Sequence, residues 1–360
     1  MNIAFVVHDY DVREGHGRYA VELVTRLARS ADVTLYAANI RDDPPAGVTV
    51  TKVPAVRRPS YATILTFPRA FRSVCRQHDL IHAQGWSASS AHVVTAHIVL
   101  AAWRAAARNA GVRRGTGERL LGGWVQRREA ALYRNSVRLV IAPSERVKTD
   151  LATYYQRNDA VEVIPHAFEP TSRQLDKADA RNTFDIRHDA FLALYAGDAR
   201  KGLDVALASV AMSTGVDLLV VSRSPSAPYL ARAQKLGIRD RVHWAGSLPD
   251  VAPAHSAADV LLHPTIYDAF GLVVAESMAY GVPPIVSNAA GIAELVEHRV
   301  SGWIVPPNDS NACAEALRTL REDATLREAI GRRARETAST RTWDHVTEET
   351  LSCYRQVLNG

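Results

Sequence analysis

The sequence predicts an α/β protein of two doubly wound domains, each a parallel sheet with helices on both faces. Three observations carry this. Short apolar runs alternate with segments whose apolar residues recur at helical spacing. The alternation breaks in a polar, turn-rich stretch, residues 165–189, and restarts at Phe191. A chain of 360 residues has room for two cores of ordinary domain size.

Asn2-Ile-Ala-Phe-Val-Val7 is a continuous apolar run, as a strand covered on both faces requires. A polar loop follows over 8–17. Ala20, Val21, Leu23, Val24, Leu27 and Ala28 then share one face of a helix. Residues 33–37, 48–51, 80–82, 93–96, 139–142 and 161–164 read as further strands. Ser144 stands where the helix after the 139–142 strand needs an N-cap. Pro170, Thr171, Ser172 and Arg173 lie in the linker. The second set of strands is 191–196, 217–221, 242–244, 259–263, 284–287 and 303–305. The rhythm predicts a first domain over 1–168 and a second over 169–342. A helix over 343–360 is expected to pack back on the first domain. Ligands of open α/β sheets bind beyond the carboxyl ends of the strands, so a ligand cleft between the domains is expected.

Composition narrows the function. Hydrophobic residues make up 47% of the chain and charged ones 22%, which excludes a disordered protein. Cys75, Cys313 and Cys353 show no C-x-x-C spacing, so neither a disulfide framework nor a zinc cluster is expected. No apolar run approaches the roughly 18 residues of a membrane span. Met1-Asn2-Ile3 enters a strand without a basic leader, and a cytoplasmic location is expected. Residues 1–169 hold 23 Lys/Arg against 15 Asp/Glu, whereas 170–360 hold 20 against 23. The excess concentrates in 103–138, where nine arginines face only Glu118 and Glu129. Two readings stay open: a docking face for anionic lipid at the inner plasma membrane or an anionic acceptor, and a solvated helical face. Beyond Trp124 and Tyr133, aromatic residues do not interleave with these arginines as a nucleic-acid surface needs, so no nucleic-acid partner is expected.

The chemistry concentrates in Asp268-Ala-Phe-Gly-Leu-Val-Val-Ala-Glu276-Ser-Met-Ala-Tyr-Gly281-Val-Pro. A strand precedes it and another follows, so it is a loop entering a helix. The amides of Ala269, Phe270, Gly271 and Leu272 would be the first-turn donors, and the helix dipole favours an anion there. Glu276, two turns in, can reach hydroxyls of the same ligand. A phosphate at one end and a ribose at the other make a nucleotide-sugar. Three other places lie at strand ends. The loop Glu14-Gly15-His16-Gly17-Arg18 lets the backbone approach a phosphate. His97 follows a buried strand directly, and His82 and Trp86 follow a neighbouring one. In Gly197-Asp198-Ala199-Arg200-Lys201-Gly202, Lys201 and Arg200 can neutralise a diphosphate.

These motifs resemble the retaining family-4 glycosyltransferases, with Asp268 and Glu276 matching their E-x7-E motif. The resemblance spans nearly the whole chain and is strongest in the second half. Asp268 stands where that family usually has Glu, Glu14 where it often has Gly, and Asp198 where it has Arg. The resemblance implies the GT-B architecture of two Rossmann-like domains with an interdomain cleft. It implies transfer of a sugar, with retention, from a nucleoside-diphosphate sugar, UDP by family frequency, to a hydroxyl of a glycan, glycolipid or small molecule. Asp268 would bind hydroxyls of the transferred sugar, Glu276 the ribose, Lys201 the leaving diphosphate, and His97 the sugar near the reacting centre. His82 and Trp86 would line the acceptor side. No metal or other cofactor is expected. A nucleotide-sugar epimerase of the same fold and a non-catalytic nucleotide-sugar-binding protein remain as alternatives.

Overall fold

Residues 1–56, 60–112, 116–170 and 172–360 are described by the structure, a computed structural model. Arg113 and Arg114 of the arginine-rich stretch, and Thr171 of the linker, lie outside them. The chain divides into two units: Met1–His166 with Trp343–Gly360, and Ala167–Thr342.

In the first unit the order is β1 (Asn2–Tyr10), α1 (Gly15–Leu27), β2 (Asp32–Ile40), β3 (Thr49–Lys52), α2 (Ser60–Val74), β4 (Leu80–Gln84) and β5 (Ala91–Thr95). Then come α3 (Leu100–Asn109), α4 (Thr116–Asn135), β6 (Val137–Ala142), α5 (Glu145–Tyr155) and β7 (Val161–Val163). The sheet runs β3-β2-β1-β4-β5-β6-β7, parallel throughout. Ser144 caps α5, its side chain accepting from Val147 N at 3.2 Å. β1 is longer than its apolar run, because the ladder to β2 continues to Tyr10↔Ile40. The polar loop after it shrinks accordingly, and α1 starts at Gly15.

The second unit holds α6 (Lys177–Asn182), β8 (Phe191–Ala196), α7 (Leu203–Ala211), β9 (Val216–Val221), α8 (Ala227–Lys235), β10 (Val242–Gly246) and α9 (Ala252–Ala257). It continues with β11 (Val260–His263), α10 (Leu272–Ala279), β12 (Pro284–Ser287), β13 (Trp303–Val305), α11 (Ser310–Glu322) and α12 (Ala324–Ala338). Its parallel sheet runs β10-β9-β8-β11-β12-β13. Every residue of β8 is buried, and its side chains divide between two cores, one on each face. That double coverage is why such strands read as unbroken apolar runs.

The last helix, α13 (Trp343–Asn359), belongs to the first unit. Trp343 and Tyr354 are fully buried, and the Trp343 ring meets Tyr19 of α1 at 5.8 Å. All three cysteines are free. Among the described residues, no helix is long and apolar enough to cross a membrane.

Both sheets share one property that positions a site. The strand order reverses beside the first strand of each unit, so β1 lies between β2 and β4, and β8 between β9 and β11. Loops leaving β1 and β4, or β8 and β11, emerge side by side at the carboxyl end. Ligands of open α/β sheets bind at this switch point.

Candidate functional site

In the second unit, the loop after β8 is drawn against the loop after β11. Gly202 permits it: it has φ +110°, and a Cβ there would lie 2.4 Å from the Pro264 carbonyl oxygen. Lys201 sits just before it, in a 3-10 turn over Ala199–Lys201, not in α7 itself. The close approach delivers the Lys201 ammonium to Asp268, with Nζ 2.8 Å from Oδ2. His263, the last residue of β11, places Nε2 3.3 Å from the same oxygen. Asp268 is held through its backbone on both sides, N donating to Ala289 O at 3.1 Å and O accepting from Gly291 N at 3.0 Å. Its side chain is 13% exposed, against 41% for Lys201. Burial alone would raise the Asp268 pKa, but the charge of Lys201 and the contact with His263 outweigh it and hold the carboxyl well below the usual range.

Replacing Gly202 by Ala is therefore expected to destabilise the second unit by about 3 kcal/mol, from left-handed backbone strain plus overpacking. Urea unfolding checks this; a wild-type midpoint would show that the two loops part without cost.

The acid-flanked helix differs in one detail from expectation. α10 starts at Leu272, with Gly271 as N-cap at φ +106°. Ala269 and Phe270 therefore precede the helix. Phe270 is core, edge-on to Phe168 at 6.1 Å, and its carbonyl accepts from Ile292 N at 2.8 Å. The sharp turn at a glycine, not the acidic residue, sets where first-turn amides begin, so they run from Leu272 onward. Glu276 lies one turn along α10 from Leu272 on the same face. Its Oε2 is 3.7 Å from Nε2 of His255, a fully buried residue stacked on Tyr280 at 5.2 Å.

Arg200 is held by Asp198. Nη2 donates to Oδ2 at 2.7 Å, and Nε to Oδ1 at 3.1 Å. Asp198 also accepts from Arg200 N at 2.9 Å. Burial would raise the Asp198 pKa, but these bonds bring it down.

In the first unit, Gly15 opens α1 and is exposed, after Glu14 as N-cap. The glycine without room for a side chain is Gly17, where a Cβ would lie 2.3 Å from Asp11 O. His16 comes to 6.2 Å from the ring of His97. His97 is half-buried just past β5, with Nε2 2.7 Å from Gln84 Oε1. Burial, then the neighbouring His166, His16 and His82, push its pKa well down, so the ring is neutral.

His82 is a correction. It lies inside β4 with no exposed surface, Nδ1 2.6 Å from Tyr354 OH and Nε2 2.8 Å from Thr95 Oγ1. The helix α13 covers the face it points to, so it lines no acceptor surface. Burial lowers its pKa to about 3. Trp86, after β4, is half-buried and edge-on to Trp124 at 5.7 Å. Trp124 is 42% exposed, and the Arg128 guanidinium lies 5.2 Å from its ring. Glu129 does not oppose the arginines from the surface. It is buried, accepts from Leu100 N at 2.8 Å and from Tyr155 OH, and burial raises its pKa to about 7.

Residues missed in the sequence are His263, His255 and Gln84. His263 carried the signal that singled out His97, a histidine at a strand end. The other two had none. Among the described residues, no three His, Cys, Asp or Glu side chains gather closely enough to hold a metal ion.

Two family models match the chain, Glycosyltransferase Family 4 over residues 13–172 and Glycosyl transferases group 1 over residues 176–337. An uncharacterised glycosyltransferase of Methanocaldococcus jannaschii is 26% identical over 232 residues, covering 60% of this chain and 59% of that one. The chain spans less than two thirds of the length of this and other curated relatives it matches. Among solved structures, WaaG, a glycosyltransferase involved in lipopolysaccharide biosynthesis, superimposes with TM-score 0.80 at 21% identity, over 97% of this chain and 98% of that one. Anabaena HepE, solved in complex with UDP-glucose, gives TM-score 0.76 at 20% identity, over 98% and 99%.

Proposed function

We propose that this chain, which belongs to the family-4 glycosyltransferases, moves a sugar from a nucleoside-diphosphate sugar to a hydroxyl of a glycan, glycolipid or small-molecule acceptor, with retention. The observation that carries this reading is the meeting of Lys201, Asp268 and the start of α10 at the switch point of the second sheet. A cation, a carboxylate and a row of helix amides suit a ligand with an anionic middle and a hydroxylated end. UDP is the favoured nucleotide, in keeping with the ligand of HepE.

Each residue then has a task. The amides from Leu272 onward hold the diphosphate, and Glu276 accepts from the ribose hydroxyls. Asp268 accepts from hydroxyls of the transferred sugar. The Lys201 ammonium neutralises charge that grows on the diphosphate as the glycosidic bond breaks, which is where electrostatic stabilisation counts most. The acceptor hydroxyl bonds to the anomeric carbon from the face the diphosphate leaves, and its proton passes to a diphosphate oxygen. His97 binds the sugar near the reacting centre, and Gly15 adds backbone to the phosphate side. Arg200 reaches the diphosphate by leaving Asp198. No metal is required in this scheme.

A panel of nucleotide-sugars read by thermal shift tests the donor. A ligand at a hundred times its Kd stabilises by about 2.7 kcal/mol. UDP-sugars are expected to raise Tm, and those that do are then assayed for transfer. No shift with any nucleotide-sugar or nucleoside diphosphate would sink the reading. Free epimerised nucleotide-sugar without acceptor would replace transfer by epimerisation, and binding without turnover would make the chain a sensor.

The arginine-rich face supports a location at the cytoplasmic side of a membrane. Exposed Trp124 and Leu121 stand on α4 among Arg119, Arg127 and Arg128. Such a face pairs apolar insertion with attraction to anionic lipid. The triple change Trp124→Ala, Arg127→Glu, Arg128→Glu is expected to abolish sedimentation with phosphatidylglycerol vesicles. Undiminished sedimentation would mark the face as merely solvated.

A further inference from the structure

A chain of buried hydrogen bonds runs from α13 to His97. His82 Nδ1 is 2.6 Å from Tyr354 OH, His82 Nε2 is 3.2 Å from Gln84 Nε2, and Gln84 Oε1 is 2.7 Å from His97 Nε2. Thr95 Oγ1 lies 2.8 Å from His82 Nε2 and 3.2 Å from Tyr19 OH. Tyr354, His82, Thr95 and Tyr19 are fully buried, and Gln84 nearly so.

A primary amide has one donor end and one acceptor end. Gln84 therefore cannot receive protons from both rings, nor give to both. With both imidazoles neutral, one Nε2 carries a proton and the other does not. The orientation of the amide says which, Oε1 facing His97 and Nε2 facing His82. At 2.7 Å the His97 contact suits N–H···O, whereas 3.2 Å at His82 suits the longer N–H···N.

We propose that Gln84 and His82 are positioning residues that fix the tautomer of His97, in a relay that ends at Tyr354 of the last helix. His97 carries its proton on Nε2 and donates it to Gln84. The bare Nε2 of His82 accepts from the Thr95 hydroxyl at 2.8 Å and, less closely, from the Gln84 amide at 3.2 Å. His82 is protonated at Nδ1 and donates to the Tyr354 oxygen. His97 Nδ1 is left as a lone pair, and no described residue donates to it. The site is thereby offered a hydrogen-bond acceptor suited to a hydroxyl of the sugar or acceptor, not a cation. The use of that lone pair rests on the transfer reading; the tautomer does not.

Imidazole nitrogen NMR on the full-length protein, labelled with 15N, reads the tautomers without any turnover. His97 is expected protonated at Nε2 and His82 at Nδ1. The reverse pattern, or the same tautomer in both rings, overturns the relay. In Tyr354→Phe the Nδ1–H of His82 loses its acceptor. The proton is then expected on His82 Nε2, facing Thr95 and a turned Gln84 amide, and His97 is expected to invert to Nδ1–H. An unchanged His97 in a folded Tyr354→Phe protein also overturns it. Inversion should cost about tenfold in kcat, the worth of one hydrogen bond, with little change in donor KM. Inversion with unchanged kcat would leave the relay standing and remove His97 from the transfer reading.

Discussion

Lys201→Ala is expected to lower kcat/KM for transfer by about 10²–10³-fold, the cost of removing one preorganised electrostatic contact from a transition state. Affinity for the intact UDP-sugar should fall far less, because its diphosphate carries less charge before the bond breaks than after. The substitution also leaves Asp268 buried beside His263 without its cation, 2.8 Å away in the intact protein. The pH dependence follows. Asp268 has a folded pKa below its unfolded value, so its contribution to stability is present above about pH 3.9 and lost as pH falls through the folded pKa. Without Lys201, burial again dominates and the folded pKa climbs. The acid limb of the Tm profile should move to higher pH. Adding Asp268→Asn should restore Tm near neutrality but not transfer, since the cation stays absent. Equal losses in UDP-sugar affinity and kcat/KM would show that Lys201 only binds the ground state.

Removing the Glu276 carboxylate by Glu276→Ala is expected to weaken nucleotide-sugar binding by about 10–100-fold, as a charged hydrogen bond to the ribose is lost. The loss should depend on the ligand. UDP carries the two ribose hydroxyls, and 2′,3′-dideoxy-UDP does not. Calorimetric titration of both into both proteins is expected to show a large loss for UDP and almost none for the dideoxy compound. Equal losses for the two would detach Glu276 from the ribose and make its effect one of folding, acting through buried His255 at 3.7 Å.

Much of the fold was legible before any coordinates. Residues 191–196 and 303–305 are strands at those bounds, because an apolar run between turn residues has no other good way to bury itself. Ser144 announced the start of α5 through its own side chain. The site was legible where a local motif carried it: Lys201 between two glycines, Asp268 and Glu276 around a turn. His82 was misplaced for a plain reason. Its position after an apolar pair gives the strand but not what covers its side chain, and the cover comes from Tyr354, 272 positions away. Glu129 likewise counts as a surface acid in any charge tally, and only packing against Tyr155 shows it buried.

By itself the sequence determined which segments bury which faces, since periodicity follows from the pitch of helix and strand. It also determined the spacing of the two acids along one helix entrance. The tertiary structure alone decided that Lys201 meets Asp268. That contact needs β8 and β11 to be neighbours despite the two strands between them in the chain, and a glycine at 202 that lets one loop press on the carbonyl of Pro264. Local pattern encodes burial, but not which loop lies beside which; long-range strand order sets that, and here it turned two separate charges into one ion pair.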